Sequence, residues 1–236
     1  MDDRRIIILF VKFPQPGQVK TRLARTVGDE VAVGIYRQLV MRLVRMLRRV
    51  DVEEVRICFD PAEKHLEIDR WLRPVWLTMG EEDSAGEEPV NETALVFRPQ
   101  STGDLGERLE SAFSETFRES EEVGSSAARV IAIGSDCIEI DEGTFQGTWK
   151  ALETRDVVFG PTADGGYYLI GMNLSHPVLF ENIPWSTEKT LETSLKRAGE
   201  SGLKVAVLDE KNDIDTEEDW HRAKAMLGNG GESSGV

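Results

Sequence analysis

The chain has 236 residues, 40% of them hydrophobic and 30% charged, which is enough for one sizeable domain with a full core. Its formal net charge of −15 argues against a surface that coats nucleic acid. No run approaches the roughly 18 apolar residues of a membrane span, and the first residues do not resemble a signal peptide. Cys58 and Cys137 lack C-x-x-C spacing and the histidines form no ligand-spaced cluster, so we expect a cytoplasmic protein without a zinc site.

The chain opens with an apolar segment that leads into a basic loop. Residues 6–11 are continuously apolar and rich in β-branched side chains, which predicts a strand buried on both faces. The residues that end it are Pro14, Pro16 and Gly17, and the basic residues around them are Lys12, Lys20, Arg22 and Arg25. We expect a phosphate-binding loop, with Lys20 and Arg22 facing solvent when no ligand is bound. An ordinary surface turn with solvated charges is the alternative.

Two commoner phosphate motifs are missing from this loop. A P-loop needs glycine directly before its lysine, but Val19 precedes Lys20. No G-x-G-x-x-G follows the first strand, so the dinucleotide fingerprint is missing as well. The loop therefore belongs to neither class.

Strand-like and helix-like segments alternate along the rest of the chain. Strands are predicted at residues 55–59, 94–98, 129–134, 156–160, 167–171 and 204–208. Helices are predicted at residues 29–50, 62–72, 104–117, 141–152 and 187–198, and after Thr216. This alternation is typical of an α/β fold with a largely parallel sheet. We expect one domain over residues 1–227, a mobile acidic loop at 80–92 and a disordered Gly/Ser-rich tail at 228–236.

Charged residues follow several predicted strands at their carboxyl ends, where open α/β sheets bind ligands. They are Lys12, Lys20, Arg22, Asp136, Asp164, Asp213 and Asp215. Cations and acids at one edge suit Mg²⁺ or Mn²⁺ held by one or two carboxylates, with substrate phosphates completing the shell. An aspartate at a strand end can instead cap a helix. Asp136 is the stronger metal candidate because it follows an entirely apolar strand, whereas Asp215 directly precedes the cap Thr216.

Asp104 supports two interpretations. With Glu107 three positions later it forms a capping pair at a helix N-terminus. Because Asp104 lies between glycines and near Arg108, contact with a substrate is the second interpretation.

Five segments, in order along the chain, resemble a known family. They are residues 12–23, 103–108, 134–136, 160–169 and 213–216. They are similar to the bacterial glycosyltransferase-A-like family of radical-SAM/selenodomain-associated transferases, formerly a domain of unknown function. More distant similarity extends to molybdenum-cofactor and phospholactate guanylyltransferases. The resemblance covers residues 6–227 and implies a nucleotide-diphospho-sugar transferase (GT-A, Rossmann-like) fold, a single domain whose central, mostly parallel mixed sheet is flanked by helices.

The resemblance also implies roles for residues at the sheet edge. Asp136 matches the metal-binding acid of the family and Asp215 is the expected second ligand, for Mg²⁺ or Mn²⁺. The expected nucleotide-binding residues are Lys12, Pro16, Gly17, Lys20, Arg22, Gly103, Asp104 and Ser135. The expected substrate-binding residues are Asp164, Gly165, Gly166 and Tyr167, and the expected catalytic residues are Lys20, Asp136 and Asp164. One departure is that the family usually has proline two places after the metal-binding acid, where this chain has Ile138.

Three functions are compatible with these residues. The first is a metal-dependent glycosyltransferase, in which metal and cations stabilise a departing nucleoside diphosphate and Asp164 or Asp104 assists the acceptor hydroxyl. The second is a nucleotidyltransferase that condenses an NTP with a phosphorylated small molecule and releases pyrophosphate. The third is a nucleotide-binding module without turnover. The expected partners are a nucleotide or nucleotide-sugar and a small-molecule acceptor, and a homodimer is the assembly left open.

Overall fold

The computed structural model describes residues 3–78, 93–125 and 127–228. The acidic loop predicted at 80–92 lies outside these residues, as does the predicted tail beyond residue 228. None of the helices within these ranges is long and apolar enough to cross a membrane.

The strands of these ranges form one seven-stranded sheet in the order β3-β2-β1-β4-β6-β5-β7. They are β1 (Asp3–Lys12), β2 (Glu54–Asp60), β3 (Ala94–Pro99), β4 (Ala127–Ile133), β5 (Val157–Pro161), β6 (Tyr167–Met172) and β7 (Val205–Val207). Strand β6 runs antiparallel to both of its neighbours, and every other pairing is parallel. The prediction of a mostly parallel mixed sheet is confirmed.

Helices cover both faces of this sheet. They are α1 (Thr21–Val27), α2 (Asp29–Leu47), α3 (His65–Leu77), α4 (Leu105–Glu122), α5 (Glu142–Leu152), α6 (Thr190–Glu200) and α7 (Glu217–Gly228). The prediction missed α1, which is separated from α2 by Gly28 at φ 84°. A short helix followed by a left-handed glycine carries too few apolar repeats to be recognised by periodicity.

Strand β1 is buried on both faces, as predicted. Ile7 and Leu9 pack in one core layer with α2, α3 and α5, while Ile6 and Ile8 pack in the other with α4 and α6. All four side chains are completely buried. Because side chains alternate along a strand, a continuous apolar run supplies both layers at once.

A third apolar cluster lies beneath the basic loop. In this α1–α7 cluster, Leu23 of α1, Ile138 and Ile214 pack with residues of α2 and α7. These three residues are 0%, 5% and 2% exposed. Leu23 follows the loop with Lys20, Ile138 comes two residues after Asp136, and Ile214 follows the last strand. Their burial together brings three distant chain segments to one end of the sheet.

Candidate active site

A cavity of about 700 Å³ opens at the carboxyl ends of the parallel strands. Strand β6 enters the sheet from this edge because it runs antiparallel, so its first residues, Tyr167 and Tyr168, line the cavity too. A cavity of this volume is typical of small-molecule and nucleotide sites. Charged residues in its lining are Lys12, Lys20, Arg22, Asp104, Arg108, Asp136, Asp213 and Asp215.

Lys20 is the buried cation of this edge. Its ammonium lies 2.8 Å from Oδ1 of Asp136 and 3.4 Å from Oδ1 of Asp215. The Lys20 side chain is 3% exposed, whereas Arg22, which lies 3.2 Å from the other oxygen of Asp215, is 66% exposed. The expectation that both face solvent is therefore correct for Arg22 and wrong for Lys20, because two carboxylates far along the chain draw the ammonium inward.

The backbone of Lys20 is unusual as well. It lies in the left-handed region at φ 49° and ψ 43°, directly before α1. This region costs about 1–2 kcal/mol for a residue with a side chain. Burial alone would lower the pKa of Lys20, but Asp136 and Asp215 outweigh it and hold the pKa above its ordinary value. The lysine is charged, buried and held in a strained conformation, a combination that clusters at functional sites.

Asp213 is the third carboxylate of the site, and the site assignment made from the sequence omitted it. Burial, together with the negative charge of Asp136, raises its pKa to about 7, although Lys20 acts in the opposite direction. Besides burial, the raised pKa of Asp213 reflects the negative charge that Asp136 and Asp215 already place at this edge of the sheet. The signal in the sequence was its place after the last strand, two residues before Asp215.

The donor set fits a divalent cation. Within the part of the chain that the structure describes, no three acidic, histidine or cysteine side chains already converge as a metal cluster. However, the Lys20 ammonium marks a point at which Asp136 and Asp215 already hold one cation between them. Their oxygen atoms are the hard ligands that Mg²⁺ and Mn²⁺ prefer. Asp136 and Asp215 would be the residues to hold such a cation, and their assignment as metal ligands stays a prediction.

A buried tyrosine joins the ends of two central strands beside the cavity. The hydroxyl of Tyr36, on α2, accepts a hydrogen bond from the N–H of Lys12, and the Ser135 hydroxyl donates to the same oxygen. Burial and the negative charge of Asp136 raise the pKa of Tyr36 far above its ordinary value, so the ring stays neutral. Lys12 ends β1 and Ser135 follows β4, so Tyr36 fixes the position of both strand ends.

The start of α4 also lines the cavity. Asp104 accepts from the N–H of Glu107 at 3.0 Å, and Glu107 accepts from the N–H of Asp104 at 2.8 Å, which confirms the predicted capping pair. Arg108 donates to Gln100 Oε1 at 3.2 Å and lies 3.6 Å from Asp60. Both Asp104 and Arg108 line the cavity, so the second interpretation of Asp104, contact with a substrate, stays a prediction.

The structure brings together most of the residues predicted for the site. Those that line the cavity are Lys12, Lys20, Arg22, Gly103, Asp104, Ser135, Asp136, Tyr167 and Asp215. Those outside its lining are Pro16, Gly17, Asp164, Gly165 and Gly166. The predicted roles themselves stay predictions.

Asp164 belongs to its own turn. Its Oδ1 accepts from the Thr162 hydroxyl at 2.6 Å and from the N–H of Gly166 at 3.1 Å. Gly165 lies at φ 85°, and a Cβ there would stand 2.2 Å from the carbonyl oxygen of Glu188. These contacts account for the aspartate and glycines of the segment by turn geometry and by close backbone approach.

The turn after Asp136 is held without the proline that the family usually has. The Ile138 side chain packs in the α1–α7 cluster, and its carbonyl accepts a hydrogen bond from Arg42 of α2. The N–H of Ile214 donates to the Asp136 carbonyl at 3.1 Å. Packing and these two hydrogen bonds thus fix the turn.

Several solved structures share the fold of this chain. A candidate nucleotide-diphospho-sugar transferase from Desulfovibrio desulfuricans G20 superimposes with a TM-score of 0.80 at 29% identity, over 97% of this chain and 90% of that one. A cytidylyltransferase from Leptospira borgpetersenii gives 0.59 at 13% identity, over 98% and 89%. The 4-diphosphocytidyl-2C-methyl-D-erythritol synthase from Anaerococcus prevotii gives 0.57 at 13% identity, over 96% of each chain. The last two show likeness of fold alone.

Comparison of the sequence with families gives a match over residues 43–187, which is more than half of the chain. The family is DUF2064, described as uncharacterized proteins conserved in bacteria. No curated protein matches the chain. The expected family and the expected nucleotide-diphospho-sugar transferase fold are both confirmed, and the expected transferase class agrees with the names of the structural neighbours. The chain is a member of the DUF2064 family with a nucleotide-diphospho-sugar transferase fold.

Proposed function

We propose that the protein is a metal-dependent glycosyltransferase that moves a sugar from a nucleotide-diphospho-sugar to a small-molecule acceptor. The observation that carries this proposal is the cavity edge where Asp136 and Asp215 hold one cation position beside a loop of further cations. Such an edge suits a diphosphate that arrives with its own divalent ion.

The charges of the cavity favour a nucleotide-sugar over an NTP. Its lining holds four cationic side chains and four carboxylates, so it offers little net positive charge to a polyanion. A nucleotide-diphospho-sugar carries about two negative charges, which one divalent cation balances. An NTP with a phosphorylated acceptor would bring a larger uncompensated negative charge into the same space. Sugar transfer is therefore the better electrostatic fit.

The residues of the site would have different roles in such a reaction. A divalent cation held by Asp136 and Asp215 would stabilise negative charge on the departing nucleoside diphosphate. Lys20, Arg22 and Lys12 would add positive charge along the same diphosphate. Tyr36 holds the strand end from which the basic loop starts. Positioned charges of this kind lower the barrier because they need no reorganisation during the reaction.

Aromatic and apolar residues of the cavity lining suit the sugar or the acceptor. Tyr167 and Tyr168 of β6 and Leu105 of α4 line the cavity, and Leu105 is 44% exposed although it is apolar. An apolar side chain that faces a polar cavity gains from contact with the apolar face of a bound sugar ring. Of the two acids proposed to assist the acceptor, Asp104 lines the cavity and Asp164 does not.

The test is a product assay with two substrate sets, each with Mn²⁺ or Mg²⁺. One set contains nucleotide-diphospho-sugars with a mixture of hydroxyl acceptors, and the other contains NTPs with sugar phosphates. Release of a nucleoside diphosphate from the first set, lost in Asp136→Asn, is the expected result. Release of pyrophosphate from the second set alone would overturn the proposal.

Nucleotidyl transfer is the second candidate function. The observation in its favour is the likeness of fold to a cytidylyltransferase, together with the basic loop that could neutralise the phosphates of an NTP. Pyrophosphate release in the assay would support it. A binding module without turnover would show ligand stabilisation and neither product.

Three wider expectations accompany this proposal. We propose that residues 1–227 act as one catalytic domain, because the described strands belong to one sheet that runs from β1 to β7. A cytoplasmic location and a homodimer stay predictions from the sequence. Cell fractionation and light scattering are the measurements that would test them.

A further inference from the structure

We propose that Lys20 holds the metal position in the metal-free protein and changes partners when a divalent cation binds. Its ammonium then leaves Asp136 and Asp215 to the metal and turns to the diphosphate of the donor. The identification of this new partner as the diphosphate of a donor rests on the proposed function. The exchange itself concerns only the metal, the lysine and the carboxylates.

The geometry makes the two cations mutually exclusive. The Lys20 ammonium lies within 3.4 Å of carboxylate oxygens from both Asp136 and Asp215. A hard divalent cation shared by these carboxylates would sit about 2.0–2.6 Å from their oxygens, in the space that the ammonium now fills. Two cations so close together repel each other, and the Lys20 side chain is only 3% exposed, so water screens its charge little. Metal binding therefore requires the ammonium to move.

The charges of the site favour movement of the ammonium toward the donor. Asp136 and Asp215 share one buried ammonium, so a divalent cation, which carries twice its charge, neutralises the two carboxylates better than Lys20 does. Once displaced, the ammonium needs a new anionic partner, because an unpaired charge is costly in a buried place. A diphosphate in the cavity would provide that partner. Metal and diphosphate binding are thus coupled through one side chain.

The position of Lys20 permits this exchange. It lies at the junction between the loop and α1, and its side chain already lines the cavity. A lysine side chain has several rotatable bonds and a compact charge, so it can turn without movement of the helix. The backbone of Lys20 lies in the left-handed region, a strained conformation of the kind that clusters at functional sites.

The experiment is a titration with Mn²⁺ alone, by calorimetry, on three proteins. They are the wild type, Lys20→Met, which keeps the length of the side chain but not its charge, and Arg22→Gln. Arg22 is the matched control because it pairs with the same Asp215 from the same loop, but it is 66% exposed and its charge is screened by water. We expect Lys20→Met to bind Mn²⁺ about tenfold more tightly than the wild type, a factor typical of coupled sites. Arg22→Gln should stay within about threefold of the wild type.

Each outcome decides the proposal. Equal or weaker Mn²⁺ binding by Lys20→Met overturns it, and so does an equal gain in Arg22→Gln, which would show a general charge effect. If Lys20→Met is unfolded without metal because its carboxylates lack a counter-ion, Mn²⁺ must restore a cooperative thermal transition. Failure to restore it also overturns the exchange.

The same titration separates this inference from the proposed function. Tighter Mn²⁺ binding by Lys20→Met supports the exchange even if no nucleotide-sugar is ever turned over. Sugar transfer without any change in Mn²⁺ affinity would leave the proposed function intact and refute the exchange.

Discussion

The hydroxyl of Tyr36 accepts a hydrogen bond from the backbone N–H of Lys12 at 2.8 Å, which ties α2 to the last residue of β1. The Ser135 hydroxyl donates to the same oxygen at 3.3 Å. Tyr36 is 3% exposed, so water cannot readily replace either bond. A single side chain from a helix therefore sets the distance between the strand end that starts the basic loop and the strand end that carries Asp136.

Tyr36→Phe should destabilise the protein by about 1–2 kcal/mol, because the buried N–H of Lys12 loses its acceptor. Urea unfolding followed by circular dichroism measures the change. Ser135→Ala is the control, since it removes only the weaker of the two bonds and should cost less. Equal stability of Tyr36→Phe and wild type would contradict the role given to the hydroxyl.

Asp136→Asn should weaken Mn²⁺ binding by at least about tenfold, because the amide removes the anionic charge that a hard cation prefers. The metal-free protein should lose about 1 kcal/mol, since Lys20 keeps Asp215 as a partner. Calorimetric titration and thermal unfolding measure the two effects. Asp104→Asn is the matched control: it lines the same cavity, and asparagine caps a helix as well as aspartate does. An unchanged Mn²⁺ affinity in Asp136→Asn would exclude this carboxylate as a ligand.

Asp164→Asn should change stability by no more than about 0.5 kcal/mol and leave turnover nearly unchanged. The amide oxygen can still accept from the Thr162 hydroxyl and from the N–H of Gly166. Asp164→Ala, which loses both bonds, should cost about 1 kcal/mol or more. Turnover of each variant beside its melting temperature is the measurement. Loss of turnover in a stable asparagine variant would instead support the catalytic role predicted from the sequence.

Glu119 should make the protein sensitive to acid. Burial alone would raise its pKa, but the Arg56 and Arg98 guanidiniums outweigh this and hold the pKa below its ordinary value of 4.5. The pairing therefore stabilises the fold fully above pH 4.5, and this contribution is lost as the pH falls through the lowered pKa. At neutral pH, Glu119→Gln should cost about 1–3 kcal/mol, because Arg56 is buried and keeps only Glu54.

The variant tests the sign of this effect directly. The free energy of unfolding of Glu119→Gln should depend less on pH below 4.5 than that of the wild type. Glu122→Gln is the control on the same helix, because its pairing with Arg118 is 58–60% exposed and should contribute little. Parallel pH dependence in the wild type and Glu119→Gln would refute the assignment.

The sequence predicted the sheet because local pattern determines most of it. The apolar run at residues 6–11 falls within β1 (Asp3–Lys12), and the cap predicted at Asp104 marks the start of α4. These signals lie within a few residues of one another along the chain. Such short-range patterns can be recognised without knowledge of the rest of the fold.

The partners of Lys20 could not be predicted in the same way. Lys20 and Asp215 are 195 positions apart, and the sequence places Lys20 in what looks like an exposed basic loop. The ammonium is buried because the α1–α7 cluster packs beside it. The residues of that cluster come from distant segments, so no local sequence pattern identifies them. Asp213 was noted at the sheet edge but given no role, since its raised pKa depends on neighbours that only the fold assembles. Asp164 stands in a conspicuous motif, and its carboxylate accepts two hydrogen bonds within a turn, while its predicted role in catalysis stays a prediction.

The α1–α7 cluster also has a consequence for how this protein can change over evolution. Leu23, Ile138 and Ile214 are apolar, yet each is joined by one to three peptide units to a charged residue of the cavity. A loss of volume at any one of them shifts a charge as well as opening a void. Selection for catalysis would thus act on buried residues that never touch a ligand, and substitutions among the three are expected to arise in compensating pairs.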